Sequence, residues 1–255
     1  MITFSEQVLM SWLSPVIWPF LRVLAVFGVA PVFSSRAIPV RAKLGLALLV
    51  AVAAQAGLTE QPAIAVNSPQ ALGVAVQQVL VGLSVGFAVR LVFAAIELAG
   101  ELIGLQMGLN FAGFFDPSSN SQTSAVSRFF GQMAVLLFVV INGHLLVLLA
   151  VLRSYEAFPV DQGVLDILRA TRLHELGVHV FSSAFWIALP MIGMLLLVNL
   201  ALGIMSRVAP QMNIYAVGFP VTLAAGLVGI AATLPMMEQP LVAMMEHLMD
   251  LFLRR

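Results

Sequence analysis

Charge-free stretches run from Val8 to Leu21, Val23 to Ser35, Leu44 to Thr59, Gln61 to Val89, Phe129 to Leu152, Leu176 to Ser206 and Val208 to Met237. A membrane-spanning helix needs about 20 apolar residues. The two stretches around Arg22 reach that length only if joined across the charge, and Leu44 to Thr59 falls short. Hydropathy alone therefore predicts five or six spans. Backbone groups in lipid must be satisfied within a helix or a closed barrel. Barrel strands alternate apolar and polar residues, whereas Ala134 to Val140 and Met191 to Val198 do not, so the expected fold is all-α. Pro15, Pro19, Pro31, Pro190, Pro210, Pro220 and Pro235 interrupt the pattern. Proline removes a donor and kinks or ends a helix, leaving ordinary kinks and broken helices in an assembly as the two readings.

Composition sharpens this. Of 255 residues, 61% are hydrophobic and 9% charged, with mean hydropathy +1.03. Soluble domains carry about 25% charged residues, so this surface must meet lipid, other subunits, or both. No polar linker divides the chain, which reads as one membrane unit. Net charge is zero and no basic run suggests nucleic acid. Cysteine is absent, excluding a disulfide framework and thiolate metal sites. The N-terminus has Glu6 and no Lys or Arg before Arg22, unlike a signal peptide, so the first apolar stretch is expected to be retained. On a six-span model, Arg36, Arg41, Lys43, Arg128 and Arg207 face one side, and Arg153, Arg169, Arg172, Arg254 and Arg255 the other. This gives no orientation bias and points away from a plain multispan bundle.

Charges also lie inside apolar segments. At about 100° per residue, Arg90, Ala94, Glu97, Glu101, Gly104 and Gly108 share one helical stripe. Ionised groups in lipid cost roughly 2.5 kcal/mol or more each, so the stripe is expected to face protein or water. It is either a helix seam with paired charges or a polar strip lining a conduit. Gly100, Gly104 and Gly108, four apart, favour close backbone approach. Arg22 needs a partner, and scarcity of acids makes Glu97 or Glu101 the expected one.

Candidate catalytic motifs are weak. Gly82-Leu-Ser84-Val-Gly86 has the nucleophile-elbow spacing but lacks the strand that motif requires, so its glycines read as a packing pair. His144, His174, His179 and His247 are scattered without metal-binding spacing. Neither a pair of membrane-embedded aspartates nor a phosphate-binding loop is present. A small-solute secondary transporter, the other function class weighed, would show inverted repeats and a midplane polar site; no convincing repeat is visible. From Asn110 to Ser127 the chain turns polar, with Asp116-Pro117 followed by Ser, Asn and Gln, and with Phe111, Phe114 and Phe115 just before. This is loop chemistry, with aromatics either at a membrane interface or buried in protein.

Particular strings say more. Phe20-Leu-Arg22-Val, Ala30-Pro31-Val-Phe33-Ser34 and Ile38-Pro39-Val-Arg41-Ala-Lys43 open the chain. Glu101-Leu-Ile-Gly104-Leu-Gln106-Met107-Gly108-Leu-Asn110-Phe111-Ala112 leads to Asp116-Pro117, and Asn142-Gly143-His144 follows. Arg207-Val-Ala-Pro210-Gln211-Met212-Asn213 runs into Gly218-Phe219-Pro220. Their order and spacing resemble the FliR/SctT family of type III secretion export-gate proteins, and the Asp-Pro and Pro-Gln-Met-Asn blocks look flagellar. Many members carry two consecutive histidines at His144-Leu145, and often lysine at Thr222.

The resemblance implies tilted hydrophobic helical hairpins with broken helices. It implies one unit, 1–255, joining a FliP-like part (approximately 1–175) to a FliQ-like part (176–255). It also implies a structural subunit rather than an enzyme, without cofactor or metal. That subunit would form with FliP and FliQ a channel for unfolded exported flagellar proteins, with FlhB and FlhA as further partners. The implied location is the bacterial inner membrane at the flagellar basal body. Under this resemblance Asn110 to Gln122 is expected to plug the closed channel. Phe111, Phe114, Phe115 and Met107 would fill it, and Asp116-Pro117 would fix a turn; an interface loop is the alternative.

Overall fold

The computed structural model describes residues 6–57, 64, 66–109, 124–159, 173–211 and 214–253. Among these, every regular element is helical. In chain order they are α1 (Glu6–Val29), α2 (Val40–Gly57), α3 (Ala71–Gln106), α4 (Ala125–Val140), α5 (Gly143–Ala157), α6 (Leu173–Val208) and α7 (Ile214–Thr233). A 3-10 turn (Leu234–Met237) then leads into α8 (Glu238–Leu253).

The charge-free stretches and the helices do not coincide. Val8 to Leu21 and Val23 to Ser35 fuse into α1, which runs through Pro15, Pro19 and the buried Arg22. It ends where Phe33 N donates to the Pro31 carbonyl (2.9 Å) across Val32, a γ-turn that puts Val32 at φ 70°. That conformation is strained for a β-branched residue, and the turn stacks Phe33 on Phe27 with ring centroids 4.5 Å apart. Ala71 to Val89, the latter part of the fourth stretch, and the charged positions Arg90, Glu97 and Glu101 after it are likewise one helix, the 36-residue α3 (Ala71–Gln106). Conversely, Phe129 to Leu152 is broken: Asn142 adopts the left-handed conformation (φ 56°), and α4 and α5 meet at a 72° bend. Asparagine is among the few residues that tolerate that region. Among the described residues, three helices, or four counting the bent pair, are long and apolar enough to cross a membrane; the expectation for the whole sequence is five or six. The two stretches around Arg22 merge into one helix, while the stretch from Phe129 to Leu152 is bent.

Two compact units divide the chain: Met1–Leu91 with Asn142–Leu176 and Met245–Arg255, and Val92–Ile141 with Gly177–Met244. In both, alanines and glycines make close helix contacts while many bulky apolar side chains face outward. In the first, α2 packs against α1. It buries Ala47, Ala51 and Ala54 while Leu44, Leu46, Leu48, Leu49 and Val52 are exposed. There too Gly82 and Gly86 of α3 meet α1. A Cβ on Gly82 would collide with the Arg22 carbonyl oxygen and lie 2.8 Å from Ala25 Cβ, and one on Gly86 would lie 3.0 Å from the Val26 oxygen. Ser84 between them donates to the Leu80 carbonyl of its own helix (2.9 Å), so the motif is a packing seam. In the second unit, α6 buries Ala184, Ala188, Met191 and Leu195 and exposes Phe181, Phe185, Leu189, Leu197 and Leu200, with Trp186 77% exposed.

Gly82→Leu should overpack the α1–α3 seam at a cost of about 1–3 kcal/mol. Gly28→Leu, with nothing within 4 Å of its Cβ position, should be tolerated. Thermal unfolding of the purified chain in detergent, followed by size exclusion, checks this; equal losses from both would contradict the seam.

Candidate functional site

Three arrangements carry the polar chemistry of this apolar chain. The first, inside the first unit, centres on Arg22, which is 0% exposed. Its Nε donates to Gln78 Oε1 (2.8 Å), Nη1 to Ser154 Oγ (3.1 Å) and Nη2 to the Phe158 carbonyl (2.8 Å). The guanidinium lies 3.9 Å from the centroid of the Tyr155 ring, a geometry favourable to a desolvated cation. Tyr155 in turn donates to the Pro19 carbonyl (3.2 Å), and Gln77 Nε2 to the Pro159 carbonyl (2.8 Å). One cation thereby ties α1, α3 and α5 together. The expected carboxylate partner, Glu97 or Glu101, is replaced by neutral acceptors and a π face. A buried guanidinium needs acceptors for its N–H groups, and amide, hydroxyl and carbonyl oxygens supply them without burying a second charge. The overlooked signal was Gln77-Gln78, two adjacent amides in an apolar stretch.

The second arrangement is the α3–α4 contact of the second unit. Gly100 is a close crossing: a Cβ there would lie 2.8 Å from Ser127 Cα and 3.0 Å from Phe130 Cβ. A Cβ on Gly104 would lie 3.0 Å from Ser124 Oγ. Gly108 does something else. It sits at φ 80°, its N–H meets the Leu105 carbonyl, and the Leu109 N–H meets the Gly104 carbonyl, each at 3.1 Å. That is a Schellman cap ending α3, a correction to the expected three-glycine crossing. Ser124 caps α4, its Oγ accepting from Ser127 N (3.0 Å). Glu101 Oε2 accepts the Ser124 N–H (3.1 Å), placing a carboxylate at the positive end of α4. Ser127 Oγ donates to the Glu97 carbonyl (2.8 Å). Arg90 and the Glu97 side chain are exposed.

Met107 is fully buried against Gly226 of α7, and Thr222 Oγ1 approaches its carbonyl at 3.5 Å. It fills interior space in this chain and is not presented to a conduit. Phe111, Phe114, Phe115, Asp116 and Pro117 lie outside the described residues, but both ends of their segment, Leu109 and Ser124, are fixed by the bonds above.

The third arrangement is the turn between α6 and α7. Arg207 is exposed in the last turn of α6, where a cation complements the helix dipole. Pro210 and Gln211 form the turn that follows, and Met212 and Asn213 lie outside the described residues. Large exposed apolar side chains line α6 on the approach to this turn: Leu196, Leu200, Ile204 and Val208, the last 79% exposed.

This combination matches known proteins over nearly the whole chain. Residues 13–248 fit the sequence pattern described as bacterial export proteins, family 1. The flagellar biosynthetic protein FliR of Escherichia coli is 42% identical over 232 residues, covering 91% of this chain and 88% of that protein. The chain belongs to the FliR family of bacterial export proteins. FliR of Pectobacterium carotovorum is 40% identical over 241 residues, 92% of this chain and 90% of that one. FliR of Bacillus subtilis is 31% identical over 212 residues, 82% of each. FliR-family membership makes the chain a component of the flagellar export apparatus, working with other export proteins, and its long apolar helices insert in a membrane.

Arg22→Ala should destabilise the chain by about 3–5 kcal/mol, because it strands buried acceptors and opens a cavity. Combined with Gln78→Ala, the losses should be non-additive by about 0.5–3 kcal/mol, whereas with Glu101→Ala they should add within about 0.5 kcal/mol. Double-mutant cycles on denaturant unfolding in detergent measure this, and strong Arg22–Glu101 coupling would restore the carboxylate pairing.

Proposed function

We propose that the chain is a non-catalytic structural subunit of the flagellar type III export gate. It assembles with FliP and FliQ into a protein-conducting channel in the bacterial inner membrane at the basal body. FlhB and FlhA are the further partners and unfolded flagellar proteins the cargo. Residues 1–175, approximately, play the FliP-like part and 176–255 the FliQ-like part.

The carrying observation is the exposed surface of α6. Val178 and Val208, with 70% and 79% exposure, bracket a series of exposed bulky apolar residues. At 1.5 Å per residue this surface is about 45 Å long, against a hydrocarbon core of about 30 Å. Fitting it into lipid alone would need a tilt near 50°, outside the usual range of about 0–40°. Protein neighbours cover the length that the hydrocarbon core does not.

Within this reading, residues 110–122 plug the closed channel, with Phe111, Phe114 and Phe115 excluding water. The fixed ends at Leu109 and Ser124 support it by tethering the segment at both sides.

Co-expression with FliP and FliQ followed by detergent purification should recover the chain in a stable complex; a stable monomer with saturable small-solute binding would overturn the assembly. Deleting residues 110–115 should leave the complex intact and make membranes leaky to small ions. Background conductance from an assembled deletion would remove the plug.

A further inference from the structure

The outward face of the α3–α4 pair in the second unit carries charges that no described residue answers. Glu97 is exposed on α3, and Arg128 and Gln132 are exposed on α4. Glu97 lies close to Gly131. A Cβ on Gly131 would lie 3.1 Å from Glu97 Oε1 and 3.2 Å from its Cγ, so the side chain lies across α4 where glycine leaves room. Arg128 stands three residues before Gly131, on the same face of α4. Neither Glu97 nor Arg128 is in an ion pair among the described residues.

What surrounds these charges decides between water and protein. Leu105 on α3 and Leu136 on α4 are each 57% exposed, and Phe129 beside Arg128 is 39% exposed. A water-lined wall would not set large apolar groups along both helices around a few charges. Lipid tails would leave both ions without partners. A neighbouring helix with its own charges satisfies both parts of the surface.

We propose that this strip is a docking surface for a membrane helix of a neighbouring export subunit. That helix presents a basic side chain to Glu97 and a carboxylate to Arg128, within an otherwise apolar face. Glu97 already lies over Gly131, so the acid stands on the α4 face before the partner arrives, which favours register over simple attraction. The inference rests on the assembly reading above.

The chain has no cysteine, so single-cysteine variants report cleanly. The full chain carrying Gln132→Cys, co-expressed with the other export membrane proteins, is treated with a small maleimide in membranes and again after detergent dissociation. The thiol should be protected in the assembly and modified in the separated chain. In parallel, Glu97→Lys should abolish recovery of the complex, and the charge swap Glu97→Arg with Arg128→Glu should not restore it, because the answering charges belong to another chain. Modification of Gln132→Cys in the intact complex would make the strip a water-facing wall and overturn the proposal. So would wild-type assembly by Glu97→Lys or by the swap. Failure of the wild-type chain to co-purify would instead sink the assembly itself.

Discussion

The fold depends on helices approaching closely through small side chains. Where α3 crosses α1 at Gly82 and Gly86, and α4 at Gly100, there is no room for a Cβ without moving backbone. Alanine performs the same service on α2 and α6. In lipid, hydrophobic burial does little to drive helices together, so shape and close van der Waals contact take over. A consequence is that bulk goes outward. Some phenylalanines and leucines, such as Phe27, Phe130, Phe138 and Leu195, still fill interior space, but many others, with Trp186, form the surface offered to neighbours.

Against that background the few buried polar groups act as fixed points. Arg22 is the chief of them, joining α1, α3 and α5 through three neutral acceptors and the Tyr155 ring. The α3–α4 contact uses a milder version, with Glu101 and Ser124 satisfying the first turn of α4. Both devices place hydrogen-bonding groups where only the intended helix crossing can satisfy them. Non-directional packing of alanine and leucine cannot supply that specificity.

Much of this was legible in the sequence. The lack of alternation in the apolar runs identified helices, and the four-residue glycine spacing located the α3–α4 approach at Gly100 and Gly104. The family strings identified the export proteins. Hydropathy sees a charge as a boundary, while Arg22 is enclosed by partners more than fifty residues away in sequence, so the two stretches around it are one helix. It also missed that Asn142 breaks an apolar run, although Asn-Gly is a turn signal. Gly108 shares the stripe but not the role of its neighbours, since one residue beyond a helix end a glycine serves as a cap. The partner of Arg22 was misassigned because pairing by scarcity of acids ignores that amides and carbonyls can accept from a guanidinium. Phe111 to Pro117, the most pointed part of the sequence reading, lies outside the described residues, so their role rests on the family resemblance and on the fixed ends of the segment.

The central claim is that the outward apolar surface of this chain is covered by other protein chains and not by lipid alone. Single-cysteine nitroxide labels at successive exposed positions of α6, from Val178 to Val208, read this directly in the purified complex reconstituted into bilayers. The account predicts side-chain mobility restricted along the whole helix and low accessibility to oxygen, the lipid-soluble relaxant. Mobile, oxygen-accessible labels over a lipid-length stretch, with water-exposed labels at both ends, would contradict it.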